Sequence, residues 1–196
     1  MYIQRTIDKY LLEWKNAPTH KPLLLRGARQ VGKSSAIRQL GKTFKYYIEV
    51  NFESRDDFKE IFKQLSDVHE IANRLGLIFS KPIVPGETLL FLDEIQSCPE
   101  AIKRLWFFKE DFPELHVVAA GSLLEFALKD LSSFGVGRIR SLFMYPMSFD
   151  EFLMAQGKDG LLKEKQNADY AHPLFAAFHN DLVQQYRTFL MVGGMP

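Results

Sequence analysis

The chain has 196 residues, 46% hydrophobic and 25% charged, a balance that suits a folded domain and excludes a disordered tail or a coiled-coil rod. Its length accommodates one globular domain with a small appendage and excludes a multidomain machine. The 25 lysines and arginines against 24 aspartates and glutamates leave a net charge of +1, which leaves nucleic-acid binding open but gives it no support.

The amino-terminal part of the chain predicts helices that alternate with short strands. Apolar residues at helical spacing over 3–14 indicate an amphipathic helix, and the run 22–26, which stops at a glycine, is typical of a strand buried on both faces. A helix follows over 36–40, and we expect Gly41 to end it from the position just past its last turn. Residues 46–51 predict a second strand.

The same alternation continues through the middle of the chain. Apolar residues spaced three and four apart over 56–75 predict one or two helices, which Gly76 is expected to end. The apolar run 89–94 predicts a third strand that finishes on two carboxylates, and 99–109 predicts a helix with proline in its first position. Residues 117–120 predict a fourth strand.

The last part of the chain predicts one more strand and then helices. Residues 140–145 form the fifth predicted strand, and the capping-box pattern of Ser148 and Glu151 starts a helical tail that the polar stretch 157–167 interrupts. Strands that alternate with helices in this way predict an α/β fold. Its parallel sheet would be covered on both faces and would carry its functional loops at the carboxyl ends of the strands.

The compartment is predicted from the cysteine content and from the apolar runs. The single cysteine, Cys98, excludes an internal disulfide and a cysteine-based zinc site. The first residues lack the apolar core of a signal peptide, and no run approaches the roughly 20 apolar residues that cross a bilayer. We therefore expect a cytoplasmic protein with no membrane partner.

Residues 27–34 match the phosphate-binding pattern G-x-x-x-x-G-K-S/T at every fixed position, between a predicted strand and a predicted helix. The two glycines let the backbone turn its N–H groups toward phosphate oxygens, and the helix adds its positive dipole end. Lys33 is expected to reach the β- and γ-phosphates, and the Ser34 hydroxyl to ligate Mg²⁺. The alternative is a glycine-rich turn with a solvated lysine. Arg29 and Gln30 occupy variable positions of the pattern, which favours a place on the loop surface. The predicted nucleotide-binding set is Gly27, Ala28, Arg29, Gln30, Val31, Gly32, Lys33, Ser34 and Ser35.

Two adjacent carboxylates end the most apolar run of the chain. A buried carboxylate needs a cation or strong hydrogen-bond donors, so Asp93 is predicted to hold the metal together with Ser34. Glu94 is then predicted to be the general base that polarises the attacking water. The alternative is a pair of exposed carboxylates where a strand enters a loop.

The stretches 27–34, 89–96 and 119–122 together resemble the AAA+ ATPases. With residues 145–152, they are similar to bacterial and archaeal ATP-binding proteins of that superfamily that carry an additional C-terminal domain. The resemblance implies a five-stranded parallel sheet in the order 5-1-4-3-2. It also implies a nucleotide-binding core over 1–147 and a helical lid segment over 148–196, with the chain truncated before the further domain.

The same resemblance implies two further site residues. Ser122 matches a polar sensor residue at the end of strand four, although with Glu125 it also fits an ordinary helix N-cap. Arg138 matches an arginine that contacts the γ-phosphate of a neighbouring subunit in a homo-oligomer, against the alternative of an ordinary surface arginine. The predicted catalytic set is therefore Lys33, Glu94, Ser122 and Arg138.

These patterns predict a Mg²⁺-dependent ATPase that binds ATP and ADP and couples hydrolysis to a task that the sequence leaves open. A nucleotide-gated switch that binds ATP and hydrolyses it negligibly is the main alternative. A small-molecule kinase is a third reading, which the lack of an arginine-rich lid segment disfavours. The choice of ATP over GTP rests on the resemblance alone.

Overall fold

The computed structural model describes residues 2–122 and 137–196, and within them five strands form one sheet. The strands are β1 Leu23–Arg26, β2 Tyr46–Asn51, β3 Thr88–Asp93, β4 His116–Gly121 and β5 Arg140–Phe143. They lie in the order β2-β3-β4-β1-β5, and each neighbouring pair is parallel. The predicted fold class and strand order are therefore confirmed.

Helices cover both faces of this sheet. The helices are α1 Ile7–Lys15, α2 Lys33–Gly41, α3 Asp56–Gln64, α4 Val68–Phe79, α5 Pro99–Asp111, α6 Phe149–Ala155, α7 Asp159–Asn167 and α8 Ala176–Val192. Helices α1 and α2 form a core with one set of alternate strand residues, and helices α3, α4 and α5 pack against the other set. The interior strand β3 is buried along its whole length, as its continuous apolar run predicts.

Two glycines that were expected just past the ends of helices are themselves helical, so both positions were predicted wrongly. Gly41 is the last residue of α2, where a Cβ would lie 2.6 Å from the Tyr47 ring. Gly76 lies within α4, where a Cβ would lie 2.9 Å from the Lys81 carbonyl oxygen, and Ser80 caps the helix in the left-handed conformation instead. Both glycines serve close packing rather than chain reversal.

The carboxy-terminal helices differ from the prediction in one place. The polar stretch expected to interrupt them contains α7, whose Leu162 packs with Leu153 and Leu182 in a small core of its own. The few apolar residues of α7 are therefore enough to pack it against the neighbouring helices. The capping box of Ser148 and Glu151 is confirmed, because both of its hydrogen bonds are present. The other predicted capping pair includes Glu125, which lies outside the described residues.

A substitution at Gly41 tests its packing role. Alanine normally stabilises a helix by up to about 1 kcal/mol relative to glycine, but here its methyl group meets the Tyr47 ring. That ring cannot move freely, because its hydroxyl donates a 2.7 Å hydrogen bond to Glu49. We expect Gly41→Ala to lower the free energy of unfolding by about 1–3 kcal/mol in chemical denaturation. Gly160→Ala in α7, where no atom lies within 4 Å of the new methyl group, is the matched control and should be neutral or stabilising.

A pair of stacked histidines lies at the amino-terminal edge of the sheet. The rings of His20 and His116 are 3.8 Å apart, and Trp14 packs edge-on against both. His116 is 7% exposed. Burial, with the neighbouring His20 adding to it, lowers the pKa of His116 to about 4, and burial also lowers the pKa of His20. Both rings are therefore neutral in the folded protein near neutral pH.

This pair predicts a stability that falls in acid. The unfolded chain takes up protons on these histidines below about pH 6.5, while folded His116 resists protonation until about pH 4, so stability is fully present above this window and is lost as pH falls through it. The expected loss from His116 is about 3 kcal/mol. Chemical denaturation across the window should show a much flatter profile for His116→Phe, whereas a substitution of exposed His179 should leave the profile unchanged. An equally steep profile in His116→Phe would contradict the assignment.

Within the described ranges 2–122 and 137–196, no helix combines the length and the apolar character needed to cross a membrane.

Candidate functional site

The phosphate loop connects the end of β1 to the start of α2, and its backbone has the predicted glycine conformations. Gly27 has φ of 150° and Gly32 has φ of 98°. A Cβ at Gly27 would lie 2.2 Å from the Met144 carbonyl oxygen, so only glycine fits this position. Gln30 also has a positive φ, of 62°, which no sequence signal at a variable position indicates. The loop is thus a tight, concave turn at a helix N-terminus.

Lys33 is the first residue of α2, and its side chain folds back over the loop. Its Nζ donates hydrogen bonds to the carbonyl oxygens of Gly27 at 3.0 Å and Ala28 at 2.7 Å. Burial lowers the pKa of Lys33, and the nearby carboxylates of Glu94 and Asp93 oppose that shift. The ammonium is therefore held within the loop beside two acidic residues, where an anionic group would meet it.

Ser34 and Asp93 come from different elements and meet at the carboxyl end of the sheet. The Ser34 hydroxyl donates a 2.9 Å hydrogen bond to Asp93 Oδ2. Burial raises the pKa of Asp93, which is 4% exposed, whereas the Ser34 hydrogen bond pulls the pKa down. A hydroxyl and a carboxylate oxygen side by side fit the oxygen ligands that Mg²⁺ prefers, and a cation here would relieve the cost of burying the carboxylate.

Sequence reasoning missed Asn51 beside this pair. Asn51 ends β2 directly opposite Asp93 in the parallel register, and its Nδ2 lies 3.5 Å from Asp93 Oδ2. Its own Oδ1 accepts hydrogen bonds from the backbone of Glu53 and Ser54, which fixes the side chain. The available signal was its place at the carboxyl end of the strand next to β3.

Glu94 follows Asp93 in the left-handed backbone conformation, with φ of 51° and ψ of 44°. Its N–H donates to Asp93 Oδ1 at 3.1 Å, so this turn helps to orient the Asp93 carboxylate. A non-glycine residue in this conformation carries strain that is typical of functional sites. The turn carries Glu94 into a cleft that it shares with the phosphate loop.

An open cleft of about 640 Å³ brings most of the predicted residues together. Lys33, Glu94 and Ser122 line it with several members of the loop set, namely Arg29, Gln30, Gly32, Ser34 and Ser35. Val31 is instead buried beneath the loop. Sequence reasoning did not find Tyr2 or Pro196, which approach the cleft from the two ends of the chain and also line it.

A buried arginine fixes the loop to its surroundings. Arg5 donates 2.9 Å hydrogen bonds to the carbonyl oxygens of Val31 in the loop and Tyr145 after β5. Its Nε lies 3.2 Å from Glu151 at the start of α6. One side chain therefore joins the amino-terminal segment, the phosphate loop and the carboxy-terminal helices, a role that composition and spacing did not indicate.

Ser122 lies directly after β4, and its hydroxyl is 3.5 Å from Arg29 Nε at the mouth of the cleft. Ser122 is therefore suitably placed for a sensor residue, and that role remains a prediction.

Arg138 lies elsewhere, just before β5 and at the amino-terminal edge of the sheet. Its guanidinium pairs with Glu110 at 2.7 Å and lies 4.0 Å from the Trp106 ring centre. Arg138 is outside the chain's own cleft, so its role across subunits also remains a prediction.

Comparisons with known proteins identify the family and the fold of the chain. A family model described as an AAA domain matches residues 19–153, most of the chain, whereas no curated protein matches significantly. The solved structure of the Walker-type ATPase PABY2304 of Pyrococcus abyssi superposes with a TM-score of 0.58 at 20% identity, over 100% of this chain and 65% of that one. The Aeropyrum pernix Orc1 protein, solved in complex with DNA, superposes with a TM-score of 0.50 at 17% identity, over 78% of this chain and 47% of that one. The chain thus spans less than two thirds of each structure, and these likenesses show a shared fold.

Proposed function

Because the chain belongs to the AAA domain family of P-loop ATPases, we propose that it is a Mg²⁺-dependent ATPase whose own residues carry out hydrolysis. The observation that carries this proposal is the hydrogen bond between Ser34 and Asp93, which joins the phosphate loop to the acidic strand beside Glu94. A solvated lysine in a glycine-rich turn would need no such partnership. Two exposed carboxylates at a strand end are likewise at odds with the burial of Asp93.

The proposed mechanism assigns one task to each group. Loop backbone N–H groups and the Lys33 ammonium bind the β- and γ-phosphates. Ser34 and Asp93 would hold Mg²⁺, which would supply positive charge beside the phosphates. Glu94 accepts the proton of the attacking water as the water adds to the γ-phosphorus, and ADP leaves. The Ser122 hydroxyl donates a hydrogen bond to a γ-phosphate oxygen. These groups position charge and water, and no covalent enzyme intermediate is needed.

The test is steady-state phosphate release by the full-length protein with ATP and Mg²⁺, alongside calorimetry of ATP and GTP binding. Turnover that requires both ATP and Mg²⁺ supports the proposal. Tight ATP binding without turnover identifies the nucleotide-gated switch instead, and turnover that appears only with a small-molecule acceptor identifies a kinase. Undetectable uptake of either triphosphate by folded protein would overturn all three readings.

The domain division is also proposed, with the nucleotide-binding core over 1–147 and a lid segment over 148–196. The separate small core of Leu153, Leu162 and Leu182 supports it, because the carboxy-terminal helices bury their own apolar face.

Arg138 is proposed to act on nucleotide held by a second copy of the chain. Its location at the sheet edge opposite the phosphate loop supports an action between molecules rather than within one.

A further inference from the structure

Gln96 makes a short hydrogen bond to the proposed general base. Its Nε2 donates to Glu94 Oε2 at 2.6 Å, within the single turn of 3₁₀ helix over Ile95–Ser97 that follows Glu94. The bond engages one carboxylate oxygen of Glu94. Gln96 is not among the residues that line the cleft, so any effect on bound nucleotide must pass through Glu94.

The direction of the Gln96 amide is set by its partner. A carboxylate only accepts hydrogen bonds, so the amide nitrogen must face Glu94 and the amide oxygen must point away. That oxygen, Gln96 Oε1, is buried and has no hydrogen-bond partner among the described residues. An unsatisfied buried acceptor carries a desolvation penalty, which an apolar side chain of similar size would avoid. Packing alone therefore does not explain a glutamine at this position.

The backbone of Glu94 adds a second constraint. Its left-handed conformation gives the residue a strained turn, and the N–H that it presents is bonded to Asp93 Oδ1. The turn sets where the Glu94 side chain leaves the backbone, and the Gln96 amide then fixes one of the two carboxylate oxygens. Glu94 lines the cleft, and holding both its backbone and one carboxylate oxygen restricts the rotation of the whole carboxylate.

We propose that Gln96 is a positioning residue for hydrolysis, which orients the Glu94 carboxylate toward the attacking water. This inference rests on the proposed ATPase function. It predicts that turnover and folding stability respond differently to a change at Gln96. The amide nitrogen aids turnover, whereas the unsatisfied amide oxygen lowers the stability of the folded protein. Removing the amide should therefore slow the reaction without weakening nucleotide binding or the folded state.

The experiment compares Gln96→Leu with wild-type protein in phosphate release, ATP binding and chemical denaturation. The expected result is a fall in kcat of about 10- to 100-fold, by analogy with other residues that orient a reacting group, with KM and ATP affinity within about twofold of wild type. Stability should be unchanged or higher. The matched control is Gln64→Leu, which removes another glutamine–carboxylate hydrogen bond, to Glu60 on the surface of α3, and should hydrolyse ATP as wild type does.

A double-mutant comparison separates positioning from general damage. If Gln96 acts through Glu94, adding Gln96→Leu to Glu94→Gln should lower the residual turnover no further. Wild-type turnover by Gln96→Leu, or an equal further loss in the Glu94→Gln background, overturns the inference while leaving the ATPase proposal intact. Absence of turnover in the wild-type protein overturns the ATPase proposal itself, and this inference with it.

Discussion

Lys33→Ala is expected to weaken ATP binding by about 100-fold or more, because charge-assisted hydrogen bonds to phosphate are among the strongest that a side chain makes. The ammonium lies within the phosphate loop, bonded to two of its carbonyl oxygens. The variant therefore loses a cation where the triphosphate carries most charge. Isothermal titration calorimetry with ATP and Mg²⁺ measures the loss directly.

The same bonds require a check on folding, because the Lys33 side chain holds the carbonyl oxygens of Gly27 and Ala28 and so helps to stabilise the loop. Lys33→Met keeps most of the buried stem and removes only the charge, so it should weaken binding to a similar degree at a smaller cost in stability. Lys42→Ala, at an exposed lysine just after α2, is the control for a general loss of positive charge and should bind as wild type does. ATP affinity near the wild-type value in a folded Lys33→Met variant would refute the assigned role.

Much of the site could be predicted because its parts lie at fixed places in a simple topology. Parallel strands present their carboxyl ends at one edge, so the loop after β1 and the carboxylates after β3 had to lie near one another. The pairing of Ser34 with Asp93 follows from that edge and from the usual chemistry of the motif. The buried run that places Asp93 was equally visible, as an uninterrupted series of apolar residues.

Other features depend on contacts that have no local pattern. Arg5 meets Val31 and Tyr145 across long sequence separations, and its charge alone gave no sign of burial. Gly41 fits the usual sequence rule for the residue just past a helix end, but it is the last helical residue and packs closely against the Tyr47 ring. Such tertiary contacts override local preference, and they are the parts of the fold that single-sequence reasoning does not recover.

Glu94→Gln is expected to keep ATP binding and to lower phosphate release by about 10²- to 10⁴-fold, the usual contribution of a general base. Glutamine matches glutamate in size, and its amide oxygen can still accept the hydrogen bond from Gln96, so the turn should keep its shape. The change also removes one negative charge near Lys33, which should leave affinity for an anionic nucleotide equal or slightly higher. Calorimetry and phosphate release on the same preparation test both parts.

The matched control is Glu87→Gln, which neutralises an exposed carboxylate paired with Lys45 and should change neither property. Turnover by Glu94→Gln at the wild-type rate would show that another group activates water, even if ATP binding is intact. Loss of ATP binding in this variant would instead mean that Glu94 supports the nucleotide site rather than the chemical step. Because Lys33 is expected to govern binding and Glu94 turnover, the two variants together distinguish an ATPase from a switch: a switch loses its ligand in the first and has no hydrolysis to lose in the second.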